Sequence, residues 1–330
     1  MAGMMMAPRI AAAKAQENLS RVDALIARMT IEEKAGQLNL MNDPFRWRPE
    51  GVNPGDALDM DQAQTAADIK AGRIGALFNG VGAATTRFVQ DMAVRESRLG
   101  IPLLFAADII HGLKTTFPVP LGEAASWDMD LAERTARAAA VEGGAAGVHQ
   151  TYAPMVDVAR DQRWGRVVEG AGEDVLLNNM YAVARTKGFQ GDDLSEWSSL
   201  LATPKHFAAY GAAEAGMDYN STDMSEVALR SIYLPPFKAA LDAGALSVMS
   251  AFNDLNGVPT SGNAWLLTDI LHGEWNFAGF VVSDYTSEQE LVAHGYAADG
   301  RDAARIALLA GVDMSMKSGL YLQHIPDLVQ

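Results

Sequence analysis

Gly279-Phe280-Val281-Val282-Ser283-Asp284-Tyr285 is an apolar strand that ends in a carboxylate, and the reading of Asp284 decides the reading of the chain. Phe280 to Val282 have the character of a short strand buried on both faces, with Gly279 punctuating its start. Such a run commonly ends in a turn or helix cap, where Asp serves local hydrogen bonds. In a barrel of parallel strands, however, the residue at a strand's C-terminal end faces the active site. The rest of the sequence has to choose between the two.

Outward from this stretch, helix and strand signals alternate. Strand candidates are Gln37 to Met41, Ile74 to Phe78, Pro102 to Asp108, Val148 to Val158, Leu200 to Phe207, Ser247 to Asn253, the Asp284 run, and Gly311 to Met316. Asn18 to Met29 is amphipathic, and Thr30-Ile-Glu-Glu33 is a capping box opening the next helix. Further helices are expected near Asp61 to Ala71, Thr85 to Arg98, Asp128 to Ala146 and Glu173 to Phe189. Asp223-x-x-Glu226 reads as a second capping box, opening a helix to about Ala243, and Trp265 to Trp275 and Arg301 to Leu309 complete the set. Strands separated by helices argue for parallel pairing with right-handed crossovers. The expected class is therefore α/β, a (β/α)₈ TIM-type barrel. A doubly wound sheet would carry a Gly-rich dinucleotide fingerprint or a phosphate loop, and neither is present. Residues 1–29 read as an N-terminal extension and leading helix, and 30–330 as the barrel. The short tail after the eighth strand reads as C-terminally truncated.

Composition narrows the function. Lys and Arg total 26 against 41 Asp and Glu, a formal net charge of −15, which disfavours nucleic acid and anionic membranes as partners. With no cysteine, disulfides, thiolate zinc sites and thiol nucleophiles are excluded. No apolar run is long enough to span a bilayer. Met1 to Gln16 does not read as an intact signal peptide, so an exported protein would have lost its signal already. No metal constellation or cofactor motif stands out.

The barrel register groups polar residues at the strand ends. Asp108 ends the third strand; Asp157, Arg163 and Arg166 follow the fourth. Lys205 and His206 end the fifth, Met249 to Asn253 the sixth, and Asp284 the seventh. Each has a plain structural reading. Asp108 could cap the next segment, His206 could be a satisfied structural histidine, the arginines could pair with loop carboxylates, and Met249 could be core. Taken together, they also offer the many directional hydrogen bonds that a pyranose ring demands. Asp284 could then attack the reacting carbon and form a glycosyl-enzyme, with Lys205 and Arg166 favouring ionised carboxylates nearby.

Several ordered motifs carry a resemblance. Phe105-Ala-Ala-Asp-Ile-Ile-His-Gly112, Ala153-Pro-Met-Val-Asp-Val-Ala-Arg-Asp-Gln-Arg-Trp-Gly-Arg166, Lys205-His-Phe-Ala-Ala-Tyr-Gly211 and Val281-Val-Ser-Asp-Tyr285 resemble glycoside hydrolase family 3, as do Glu169-Gly-Ala-Gly-Glu-Asp174, Trp265-Leu-Leu-Thr-Asp269 and Gly311-Val-Asp-Met-Ser315. The type is that of the bacterial periplasmic β-glucosidases. The resemblance implies an exo-acting, retaining enzyme with Asp284 as nucleophile and no cofactor. Asp108, Arg166, Lys205, His206 and Met249 would line the terminal sugar's subsite, with Tyr285 on the aglycone side. It implies a periplasmic location, the cytoplasm being the alternative. Tyr285 stands where many members have Trp, and Phe252 where many have Tyr.

A retaining mechanism needs a second carboxyl about 5–5.5 Å from the nucleophile. Glu288 and Glu290 sit at helix-start spacing and read as decorating that helix. In the β-glucosidase branch the acid/base Glu comes from beyond the barrel, so the resemblance implies further C-terminal domains, an α/β sandwich and a fibronectin-like domain. The single-barrel β-N-acetylhexosaminidases instead carry a His in Lys-His-Phe-Pro-Gly-His-Gly, which Lys205-His-Phe-Ala-Ala-Tyr-Gly211 does not reproduce. A Schiff-base aldolase using Lys205 and a non-catalytic carbohydrate-binding barrel are the rival classes.

Overall fold

The computed structural model describes residues 18–46 and 61–329; the reading of Met1 to Gln16 lies outside them. The strands in chain order are β1 (Asn39–Asn42), β2 (Ala76–Phe78), β3 (Leu104–Ala107), β4 (Gln150–Thr151), β5 (Leu201–Ala202), β6 (Ser247–Met249), β7 (Asp254–Leu255), β8 (Val258–Pro259), β9 (Phe280–Val282) and β10 (Ser315–Met316). A six-stranded sheet runs β10-β1-β2-β3-β4-β5, and β6 pairs with β9. Every one of these pairings is parallel. Parallel bridges from Phe207 to Ser250 and from Val282 to Met314 join the two sheets, so the strands close into a ring. Each expected strand segment supplies one position of that ring, and the fold is the (β/α)₈ barrel.

The barrel interior is filled from successive strands by Leu40, Ala76, Ala106, Tyr152, Met249, Val282 and Met316. Outside it, helices are started by side chains that satisfy their first free amides. Thr30 Oγ1 accepts from the Glu33 N–H at 3.2 Å while Glu33 Oε2 accepts from the Thr30 N–H at 2.9 Å, the expected capping box. Asp61, Asp128, Asp174 and Asp299 cap four further helices in the same way. The helices Met129–Ala145 and Val175–Gln190 approach closely because Gly188 has no side chain. A Cβ there would lie 2.3 Å from the Glu133 carbonyl oxygen.

Three local expectations are corrected. The helix cap after β5 is Ser225, whose Oγ accepts from the Ala228 N–H, and not Asp223. Thr222 is bridged to Leu255, which keeps that stretch extended. The helix itself runs Glu226–Ala228, passes through a π turn at Leu229–Tyr233 and resumes at Pro235–Asp242. Pro235 and Pro236 lack the amides that would continue the first register. Third, β4 and β5 are only two residues long, and the chain beyond them is irregular, with cis peptide bonds at Ala153-Pro154, Lys205-His206 and Phe207-Ala208. In addition, the antiparallel hairpin β7–β8, which no expectation covered, stands outside the ring. The leading helix covers 18–26, but Leu19, Val22 and Ile26 on it remain exposed.

Candidate active site

At the C-terminal rim of the ring lies a cavity of about 420 Å³ walled by Phe78, Asp108, Ile110, Tyr152, Arg166, Glu169, Lys205, Met249, Asp284, Tyr285 and Met316. Asp108 directly follows β3, Met249 ends β6, and Asp284 stands two residues beyond β9. Six of the residues singled out by sequence, Asp108, Arg166, Lys205, Met249, Asp284 and Tyr285, therefore meet in one wall. His206 is fully buried behind it. Arg163 points elsewhere, paired with Asp161. A larger cavity of about 750 Å³ opens at the other end of the barrel, against strand beginnings such as Leu104, Leu201 and Phe280. That end of such barrels serves stability, so the smaller, charged cavity is the candidate site.

The charges are wired in pairs. Lys205 Nζ donates to Asp108 Oδ1 at 2.8 Å. Arg166 grips Glu169 with two parallel bonds of 2.7 and 3.0 Å. Asp157 Oδ2 accepts from the His206 backbone N–H at 2.9 Å and lies 2.8 Å from His206 Nδ1. The other ring nitrogen, Nε2, sits 3.4 Å from Asp284 Oδ2. Asp284 Oδ1 accepts from the Tyr285 N–H at 2.6 Å, and the Tyr285 hydroxyl accepts from Asn42 Nδ2 at 3.0 Å, tethering that side chain to β1.

Burial dominates the protonation of this cluster. It raises Asp284 from 3.8 to about 6, against the pull of Lys205, the Tyr285 amide and Arg166, and with a further push from Asp108. Asp157 is raised from 3.8 to about 7 by burial, opposed by the His206 amide, Arg166 and Lys205. His206 is held well below its ordinary value by burial and by the two cations, so the ring is neutral. Burial also acts to lower Arg166, but Glu169, Asp284 and Asp157 outweigh it and hold the guanidinium above its ordinary value. Glu169 is lowered, because Arg166 and Lys205 overcome its own burial. The result is a pocket whose central carboxyl ionises near neutrality, between fixed cations.

The sequence reading missed some of the wall. Tyr152 is 1% exposed, and its buried hydroxyl has no hydrogen-bond partner among the described residues. Asp108 and Asp284, after burial, push its ionisation far up, so it stays a neutral donor. Its signal was available, since it lies just past β4. Glu288 was misread as decoration: it is fully buried, whereas Glu290 opens the helix Glu290–Ala293. Burial, then Asp284 and Glu288, raise half-buried Glu290 from 4.5 to about 7.

A closed parallel β/α ring with convergent carboxylates and cations at its C-terminal rim is the architecture of a barrel enzyme. Its amino-acid sequence places it further. The chain belongs to glycosyl hydrolase family 3, whose N-terminal domain matches residues 30–330. It is 45% identical over 309 residues to the periplasmic beta-glucosidase of Salmonella typhimurium, covering 94% of this chain and 39% of that protein. A putative beta-xylosidase of Formosa agariphila is 32% identical over 322 residues, covering 94% of this chain and 42% of the other. The structure of a beta-glucosidase from Listeria innocua in complex with glucose superposes with a TM-score of 0.86 at 39% identity, covering 94% of this chain and 43% of that one. The chain thus spans about two fifths of the length of these relatives.

Proposed function

We propose that the protein acts as a retaining, exo-acting β-glucosidase. Asp284 attacks the anomeric carbon of a terminal β-glucosyl residue, the bond to the aglycone oxygen breaks, and water later releases glucose from the Asp284 ester. The observation that carries this reading is Asp284 in the wall of the rim cavity, together with Lys205 and Arg166, whose charges act on it. Asp108, Arg166, Lys205 and Met249 would hold the ring hydroxyls and faces, with Tyr285 toward the aglycone. His206 would act from behind, through Asp284. Glucose over xylose rests on the Salmonella and Listeria relatives.

The leaving oxygen needs a proton. Asp108 and Glu169 in the wall are engaged with Lys205 and Arg166, and we assign the general acid to polypeptide beyond the residues described. Residues 30–330 are then the nucleophile-bearing barrel and 1–29 an extension and leading helix. The Salmonella relative's name supports a periplasmic location, and among the described residues no helix is long and apolar enough to cross a membrane.

The test is a fluorinated β-glucosyl donor with a dinitrophenolate leaving group, which departs without a general acid. Peptide mass spectrometry should find the sugar on Asp284; labelling at another residue, or none at saturating donor, overturns the reading. Residues 1–330 alone should turn over ordinary aryl β-glucosides poorly, and robust turnover would refute the assignment of the acid.

A further inference from the structure

We propose that Glu288 is a positioning residue: its buried carboxyl fastens the Asp284 turn to the end of β10 through the hydroxyls of Ser315 and Ser318. The inference rests on the reading of Asp284 as nucleophile. Asp284 is on no regular element. Tyr285 to Gln289 forms turns, with Thr286 in the left-handed region at φ 61°, and so the direction of the Asp284 carboxylate just before them depends on what holds those turns.

The turn is held from both flanks. The Ser283 N–H donates to the Met314 carbonyl at 2.8 Å, and the Thr286 N–H to the Met316 carbonyl at 3.0 Å. In return the Met316 N–H donates to Ser283 Oγ at 2.8 Å. Beyond these, Ser315 Oγ and Ser318 Oγ both donate to Glu288 Oε1. On the other flank, Ser287 Oγ contacts Ser261 Oγ at 2.8 Å, which contacts Ser250 Oγ at 2.8 Å, just past β6. The turn is thereby tied to both neighbouring strands by side chains, with Glu288 as the tie to β10.

A carboxyl at 0% exposure is an expensive way to fill space. Burial raises its ionisation above 4.5 even though three serines oppose the shift. A leucine would pack the same volume without that cost. What leucine lacks is an acceptor that gathers hydroxyls from two segments at once. Glu288 touches neither the cavity nor the reacting atoms, so its effect has to pass through Asp284.

The experiment uses the full chain and the fluorinated donor described above, measuring the limiting labelling rate and the donor concentration at half-saturation. Loss of the tie misplaces the attacking oxygen, and E288L should cut the limiting rate roughly 10–100-fold while half-saturation moves less than about 3-fold. E288Q, which keeps one acceptor, should recover part of the rate. The S315A/S318A double variant should match E288L, and combining them should add little, because both remove one connection. Ser315 and Ser318 lie 3.1 Å apart and can pair with each other, which helps E288L to fold. If E288L fails to fold, S315A/S318A carries the test. A wild-type limiting rate in either, or an effect confined to half-saturation, refutes the inference. A wild-type chain unlabelled at Asp284 refutes the nucleophile reading first, and this inference with it.

Discussion

Replacing Asp284 by asparagine should stabilise the protein at neutral pH while abolishing covalent labelling. The magnitude follows from the shift of Asp284 from 3.8 to about 6. Because the native state holds the proton more tightly than the unfolded chain, this group favours folding below pH about 4. That contribution is lost as pH rises through about 6, and at pH 8 the native state carries the full cost of a buried carboxylate. Two pKa units correspond to about 3 kcal/mol, already net of the attraction from Lys205 and Arg166. Asparagine keeps the shape and carries no charge. D284N should therefore gain about 1–3 kcal/mol at pH 8, the lower figure allowing for an unpaired amide, and nothing near pH 4. Urea unfolding of both proteins at half-unit intervals from pH 4 to 8 measures it. A D284N less stable than wild type at pH 8, or a gain that does not shrink on acidification, would show that burial does not govern this carboxyl.

Three other outcomes are expected. Lys205 is the strongest charge holding Asp284 down, so K205M should move the pH midpoint of Asp284 labelling above about 6, read from the labelling rate between pH 5 and 9. The unpartnered Tyr152 hydroxyl is placed to meet a bound sugar, and Y152F should weaken glucose binding by about 2–10-fold in calorimetry, with the labelling midpoint unchanged. G188A forces a methyl against the Glu133 carbonyl and the Ala136 side chain and should cost about 1–3 kcal/mol in urea unfolding without moving the labelling midpoint.

The barrel was legible because its signals are local and repeated. An apolar run closed by Asp284 and a helix started by Thr30 and Glu33 each depend on a few adjacent residues. Strand order then follows from alternation alone. The site was legible only as a set of strand ends. That Lys205 serves Asp108, 97 positions away, or that His206 bridges Asp157 and Asp284, depends on register and rotamer, which composition does not encode. Glu288 was misjudged because helix spacing was extended backward into a turn. The β7–β8 hairpin was passed over although Asn256-Gly257, both at positive φ, carries the signature of a tight two-residue loop. The Asp223 box failed for the opposite reason. The local pattern was sound, but pairing of Thr222 with Leu255 fixed the backbone before the helix could start.

The charge balance of the rim links its cost to its proposed chemistry. Asp108, Asp157, Glu169 and Asp284 stand against two cations, Arg166 and Lys205, with His206 neutral. Full ionisation leaves the cluster net negative, and the raised values of Asp157 and Asp284 record how strongly burial disfavours an ionised carboxyl there, even beside two cations. A bound sugar is neutral and excludes water, which strengthens the charges without relieving them. In the proposed reaction, positive charge developing at the anomeric carbon in an oxocarbenium-like transition state beside Asp284 would relieve them. The surplus is therefore a penalty in the resting protein that lessens as the glycosidic bond breaks, the condition for stabilising a transition state more than its ground state. The cations are needed in the same balance. Without Lys205 and Arg166 the carboxyl would hold its proton to higher pH, and the surplus would shrink along with the supply of the proposed nucleophile.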